Sequence, residues 1–186
     1  MSLFTPGEIA SVSLQEMAEG GAIASLVADA EAVSATLVAN PAAGLLGPGI
    51  TTTTLLNTDA AIENTELSVV AMVLPTNDGF LGLNSITIPT EAGTYIYDVD
   101  AYDSGTEAND EIRGSGAAGV PGFPFPGPVS DNSGFNGTGV STTAEGFIHI
   151  HRNVLGDTDI NGGTSDIVST VQRWLNPVAR VILTVN

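Results

Sequence analysis

The sequence contains no cysteine and no lysine, and its four basic residues, all arginine, stand against 21 acids. Without cysteine there are no disulfides, no thiolate metal sites and no thiol nucleophile. A net charge of −17 repels phosphate backbones and anionic headgroups, which excludes nucleic acid and bare membrane surfaces as natural partners. Charged residues make up only 13% of the chain, about half the usual share. Long apolar runs are missing too. The longest, such as Val69 to Leu74, are far too short to span a bilayer, so direct membrane insertion is not expected. No G-x-S-x-G elbow occurs and no G-x-G-x-x-G follows a strand, and with two histidines in 186 residues a catalytic triad assembled on paper carries no weight. No signal peptide precedes the turn at Pro6-Gly7; the lack of lysine nevertheless points to a secreted or cell-surface chain whose leader has been removed.

What is present is a hydrophobic fraction of 42%, enough for a proper core in one domain spanning residues 1–186. The first forty residues read as helical: Ser13 with Glu16 suggests a capping box, Leu14, Met17 and Ala18 share a face, and Gly20-Gly21 separates a second helix carrying Ile23, Leu26 and Val27. Strand signals begin at Thr51–Leu56 and continue through Leu67–Leu74, Leu81–Ile88, Thr94–Tyr102, Gly146–Val154 and Ala179–Val185. The nearly all-apolar Leu67–Leu74 run predicts a central strand buried on both faces. Residues 113–139, rich in Gly, Pro, Asn and Ser, predict a long surface loop anchored by Val120, Phe123, Phe125, Val129 and Phe135. Asp166–Leu175 fits helix or strand equally. The pattern is mainly β: an antiparallel Greek-key β-sandwich with one or two short helices near the N-terminus.

Three constellations could carry chemistry. In the first, the strand ending at Asp103 runs into an acidic loop where Asp103, Glu107, Asn109 and Asp110 could converge on one ion, Gly105 permitting the turn. Oxygen ligands of this kind suit calcium, the natural counter-charge for such a chain; the alternative is a solvated acidic turn. In the second, Asp157, Asp159, Asn161 and Gly162 match an EF-hand loop, but Val168 stands where the bidentate acid belongs. Asp166 is a poor substitute, and a polar turn is the simpler reading. In the third, His149 and His151 sit two apart in a strand, so that with Phe147 they face one way while Ile148 and Ile150 enter the core. Two imidazoles can hold zinc or copper if a carboxylate joins them, but the sequence names no such third ligand.

Several stretches resemble the spondin amino-terminal domain. Leu74-Pro-Thr-Asn-Asp78-Gly-Phe80-Leu-Gly82 is similar to its Pro-Ser-x-Asp-x-aromatic-x-Gly stretch, and Asp103-Ser-Gly105-Thr-Glu107 to its Asp-Ala-Gly-Thr-acid motif, with Ser104 replacing the common Ala. Phe4-Thr-Pro6-Gly7-Glu8, His149-Ile-His151-Arg152 and Trp174-Leu-Asn176-Pro177 look like bacterial members. The resemblance implies a Greek-key sandwich related to calcium-dependent lipid-binding domains, with a calcium ion held by Asp78, Asp103 and Glu107. It also implies a secreted adhesion or recognition module whose ligand is an extracellular protein or glycan. The family's usual first strand, ahead of Leu3, is not seen here. If that strand is truly absent, a sandwich edge is left unpaired, and a structural subunit completed by strand addition from another copy of itself or a partner is the second expectation. A metalloenzyme built on His149 and His151 is the third.

Overall fold

The computed structural model describes residues 1–58, 65–125, 136–141 and 143–186. Two of the expected loop anchors, Val129 and Phe135, lie outside the described residues.

Helix α1 spans Val12–Gly20 and helix α2 Ala24–Ala32. The cap of α1 is Ser11 rather than Ser13: its side chain accepts the Leu14 N–H at 3.1 Å, satisfying one of the orphan donors of the first turn. Ser13 instead donates to Asp29 at 2.5 Å and Glu16 accepts from Ser25, so both side chains tie α1 to α2. Gly21 ends α1 in the left-handed conformation (φ 71°), its N–H reaching the Glu16 and Met17 carbonyls.

Among the described residues five strands follow: β1 Glu66–Met72, β2 Gly79–Thr87, β3 Gly93–Asp103, β4 His149–Ile150 and β5 Ala179–Val185. The protein is mainly β, with one antiparallel five-stranded sheet and two short helices near its N-terminus, an arrangement compatible with a sandwich. Strand β3 is the spine. Its C-terminal end pairs with β2 from Gly82↔Asp100 to Gly79↔Asp103, and with β4 at Asp103↔His149. Its N-terminal stretch pairs with β5 from Val99↔Ala179 to Gly93↔Val185.

Five sequence-based expectations change. Thr51–Leu56 forms no strand. The Gly146–Val154 strand shrinks to two residues, and 166–175 is a series of turns. Strand β1 is an edge strand, half-buried along most of its length, because its apolar run serves only the face beneath α1. Finally, Ile150 is exposed while His151 is buried: the chain leaves the strand after two residues, and with it the alternation that would have turned Ile150 inward.

The core is an aromatic and aliphatic cluster of Phe4, Leu14, Met17, Ala18, Phe80 and Ile148. Phe4 meets the Phe80 ring edge-on at 5.1 Å and leans on Tyr102 at 4.8 Å. Gly82 makes this possible, since a Cβ there would lie 2.5 Å from the Phe4 ring. Burial of Phe80 alone contributes roughly 2–3 kcal/mol. A smaller cluster of Phe123, Val154 and Ile167, with Phe125 against it, fastens the long loop to the chain's last third. Of the other expected anchors, Val120 is exposed.

Candidate metal centre

The β2–β3–β4 register gathers the candidate residues at one end of the sheet. Asp103 closes β3, its pairing partner Gly79 places Asp78 alongside, and its partner on the other side is His149 itself. The Ser104 N–H bonds the Asp78 carbonyl at 3.2 Å. The returning chain before β4 brings in Glu145. Among the described residues, Asp103, Glu145 and His149 form a group whose ligand atoms all lie within 4.8 Å of one another, an arrangement that could hold a metal ion.

Asp103 is fully buried between donors. Oδ1 accepts the Gly105 N–H at 2.8 Å and Oδ2 the Asn109 side-chain amide at 2.7 Å. His149 Nε2 lies 3.6 Å from Oδ1 and His151 Nε2 lies 3.9 Å from Oδ2. Burial pushes the Asp103 carboxyl above its ordinary range, against the opposing pull of Asn109 and Gly105. Asp78 is buried beside it and rises to about 7, first by desolvation and then by the Asp103 charge. Its Oδ2 accepts from Ser104 Oγ at 3.0 Å and from the Thr106 and Glu107 N–H groups at 2.8 and 3.0 Å. Its Oδ1 is buried with no donor among the described residues.

The two histidines are not equivalent. His149 Nδ1 lies 2.9 Å from the Ile150 carbonyl; a carbonyl only accepts, so Nδ1 carries a proton and, in the neutral ring, Nε2 keeps its lone pair. His151 Nδ1 accepts the Asn153 N–H at 3.0 Å, so in the neutral ring the proton is on Nε2, facing Asp103. Burial, then the His149 and Arg152 charges, push the His151 ring down to about 4, which keeps it neutral near pH 7. Trp174 packs against it at 5.0 Å.

The other acids expected at the ion face elsewhere. Glu107 Oε1 accepts from the Asn77 amide at 3.0 Å and from the Gly122 N–H, and Asp110 Oδ1 accepts from the same Asn77 amide at 2.9 Å. Asn77 thus binds both to the loop, while Glu107 Oε2 is buried without a partner among the described residues. Asp157, Asp159 and Asn161 form successive turns: Asp157 Oδ1 takes the Asp159 N–H at 2.9 Å, its Oδ2 the Thr164 and Ser165 N–H groups, and Asp159 Oδ1 the Asn161 N–H. Those backbone donors, Ser165 first, hold the Asp157 carboxyl below its ordinary range. Asp166 is buried and accepts from the Arg113 and Gly137 N–H groups, apart from that loop. Glu145 escaped the sequence reading. It sits in a Gly/Ser/Thr-rich stretch 42 positions beyond Asp103 (145 − 103), and only the β3–β4 pairing brings the two together.

For the calcium set that the resemblance implies, the fit is incomplete. Asp78 and Asp103 lie together, and Asp78 Oδ1 and Glu107 Oε2 are both buried without a partner among the described residues, but the other Glu107 oxygen is taken by Asn77 and Gly122. Calcium takes six to eight oxygens, and two clustered carboxylates with an imidazole nitrogen are not that donor set.

Fold and site together define an antiparallel β domain with an acidic, partly buried loop end. The family model described as Spondin_N, the spondin amino-terminal domain, matches residues 1–114, well over half of the chain. The protein belongs to the spondin amino-terminal domain family, whose members are modules of the extracellular matrix and cell surface. No curated protein matches it. No helix among the described residues is long and apolar enough to cross a membrane.

Proposed function

We propose that this protein is a secreted recognition or adhesion module that works by binding an extracellular protein or glycan, without catalysis, and that a divalent cation braces its loop end. The observation that carries the reading is the pair Asp78–Asp103, two buried carboxylates whose charges oppose one another. Burial raises both pKa values, at Asp78 with the Asp103 charge added, so each carboxylate would gain from a positive charge placed beside it. Family membership supports the extracellular setting. The non-enzymatic reading draws support from the histidines: the paired-imidazole centre on which a metalloenzyme would rest needs a lone pair on both Nε2 atoms, and His151 presents a proton there. Calcium is the ion that the resemblance implies. Thermal unfolding in millimolar calcium and then in excess chelator tests the reading. At a thousand times its dissociation constant one ion adds about 4 kcal/mol, a rise of about 10 °C for a chain of this size. Identical curves with and without divalent ions would remove the cation from the proposal.

A second reading, a subunit that assembles by strand addition, is favoured by an open edge. Strands β2 and β3 part beyond Gly82↔Asp100. Strand β5 lies on the β4 side of β3, because the Val178 N–H bonds the Val99 carbonyl while the Asn176 side chain and the His151 N–H both bond the Ala101 backbone. The other edge of Gly93–Val99 therefore carries no strand among the described residues. A cleft of about 340 Å³, lined by Leu83, Asn84, Ile86, Asp98 and Asp100, opens where the strands part. Sedimentation velocity over a hundredfold concentration range tests it: a single monomer boundary throughout would dismiss assembly.

A further inference from the structure

We propose that Asp103, Glu145 and His149 form a site for zinc or a similar first-row divalent ion, with His151 positioning Asp103 and the fourth coordination position left to solvent or to a group supplied by a partner. The proposal rests on the reading that the loop end takes a cation, and it changes the class of ion. Glu145 and His149 both lie beyond the residues matched by the family model, so the site is argued from this chain's own geometry.

Three observations lead to it. The first is spacing. Ligand atoms around tetrahedral zinc at about 2.0–2.1 Å stand about 3.3 Å apart. His149 Nε2 and Asp103 Oδ1 are already 3.6 Å apart, and all three donors lie within 4.8 Å, so small side-chain movements close the site. The second is the state of the donors. His149 presents a lone pair on Nε2, an atom that is buried and has no hydrogen-bond partner among the described residues. Its Nδ1–H is anchored on the Ile150 carbonyl, the outer contact that metal-binding imidazoles ordinarily make. The third is His151, whose side chain is 1% exposed. Its Nε2–H lies 3.9 Å from Asp103 Oδ2 and has no hydrogen-bond partner among the described residues. With the Asn109 amide on the same oxygen, it turns Oδ1 toward His149. Glu145 is held by Asn109 at 3.4 Å and by Arg152 at 3.9 Å. Its side chain and that of His149 are 22% and 25% exposed, so an incoming ion and a fourth ligand have access. One imidazole nitrogen with two carboxylates suits zinc, whereas calcium prefers oxygen alone.

The test is zinc titration of chelator-stripped protein, followed by calorimetry and thermal unfolding, with cobalt(II) as a visible-absorption probe of coordination. One zinc per chain is expected, together with a cobalt spectrum of intense tetrahedral bands. His149→Ala and Glu145→Gln should each weaken zinc binding at least 100-fold while leaving the circular dichroism unchanged, since both side chains reach solvent. His151→Gln should weaken it 10–100-fold, and Asp157→Asn should leave it unaltered. Absence of zinc binding to the parent chain, or parental affinity in His149→Ala, would overturn the proposal. If calcium raises the melting temperature and zinc does not, the cation-braced reading stands and this inference falls. If neither ion has an effect, both fall.

Discussion

Asp78 takes hydrogen bonds from Ser104, Thr106 and Glu107 on one carboxylate oxygen and buries the other without a donor among the described residues. The same economy recurs at Glu111, whose oxygens accept from the Leu155 and Gly156 N–H groups and from Ser165, and at Glu19, which accepts from the Gly119 N–H. With four arginines and no lysine, this chain satisfies buried acids with backbone amides. That arrangement fixes loops firmly but leaves the charge uncompensated, and Asp78 shows the consequence. A carboxyl raised from 3.8 to about 7 contributes stability that is complete below pH 3.8 and is lost as the pH climbs toward 7. His151, lowered from 6.5 to about 4, does the reverse: its contribution is present above pH 6.5 and is lost as the pH falls toward 4. In the metal-free protein the two therefore offset each other between about pH 4 and 6.5. Asp78→Asn removes one side of that balance. Its side-chain oxygen can keep the bonds of Oδ2, and its amide replaces the unpartnered oxygen. Urea unfolding should find the chelated variant more stable than the parent at pH 7.5, by about 1 kcal/mol or more, and no more stable at pH 4. A variant less stable at pH 7.5 would mean that Asp78 is held ionised at little cost.

Two loops and a two-residue strand build the candidate metal centre, and their closeness depends on Gly105. This residue has φ +69°, and a Cβ there would come within 2.5 Å of the Phe147 nitrogen and closer still to its carbonyl oxygen. The Gly146 N–H bonds the Gly105 carbonyl at 2.9 Å, so the 103–107 turn and the chain entering β4 press together there. Both neighbours are backbone and cannot swing aside. Gly105→Ala should cost about 3 kcal/mol and lower the melting temperature by about 10 °C, an effect read directly by calorimetry. It should also separate Asp103 from His149. The turn itself was legible in the sequence, because Asp103-Ser-Gly-Thr-Glu107 pairs an acid with a glycine where a left-handed residue is needed. The partner loop was not. Glu145 carries no local signal, and the alternation read into Phe147–His151 requires a longer strand than the two residues that form.

Charge and edges decide behaviour at the scale of the whole chain. With a net charge of −17, copies repel at low ionic strength, and the repulsion fades as the Debye length shrinks from about 30 Å at 0.01 M salt to about 3 Å at 1 M. Yet the β3–β5 ribbon pairs Ile96 with Ile182, 60% and 61% exposed, and among the described residues β3 leaves one edge open beside the cleft. If strand addition joins copies, association should strengthen with salt: sedimentation in 0.01 M salt should give monomer, and in 0.5 M salt a larger species that grows with protein concentration. Monomer in both would assign the exposed isoleucines no part in self-assembly.

By itself, the sequence determined the class of fold, the helical start, the strands β1, β2, β3 and β5, and the acidic end of β3. These depend on local periodicity and turn chemistry, which neighbouring residues express without help. Only the tertiary structure decided which acids share a site. Glu107 and Asp110, close to Asp103 in sequence, are drawn off by Asn77, while Glu145 and His149 arrive from more than forty positions away through the β3–β4 pairing. The physical reason is that a carboxylate orients toward whichever donors the packed backbone places around it. Those donors come from strand register and loop contacts, which no local pattern encodes.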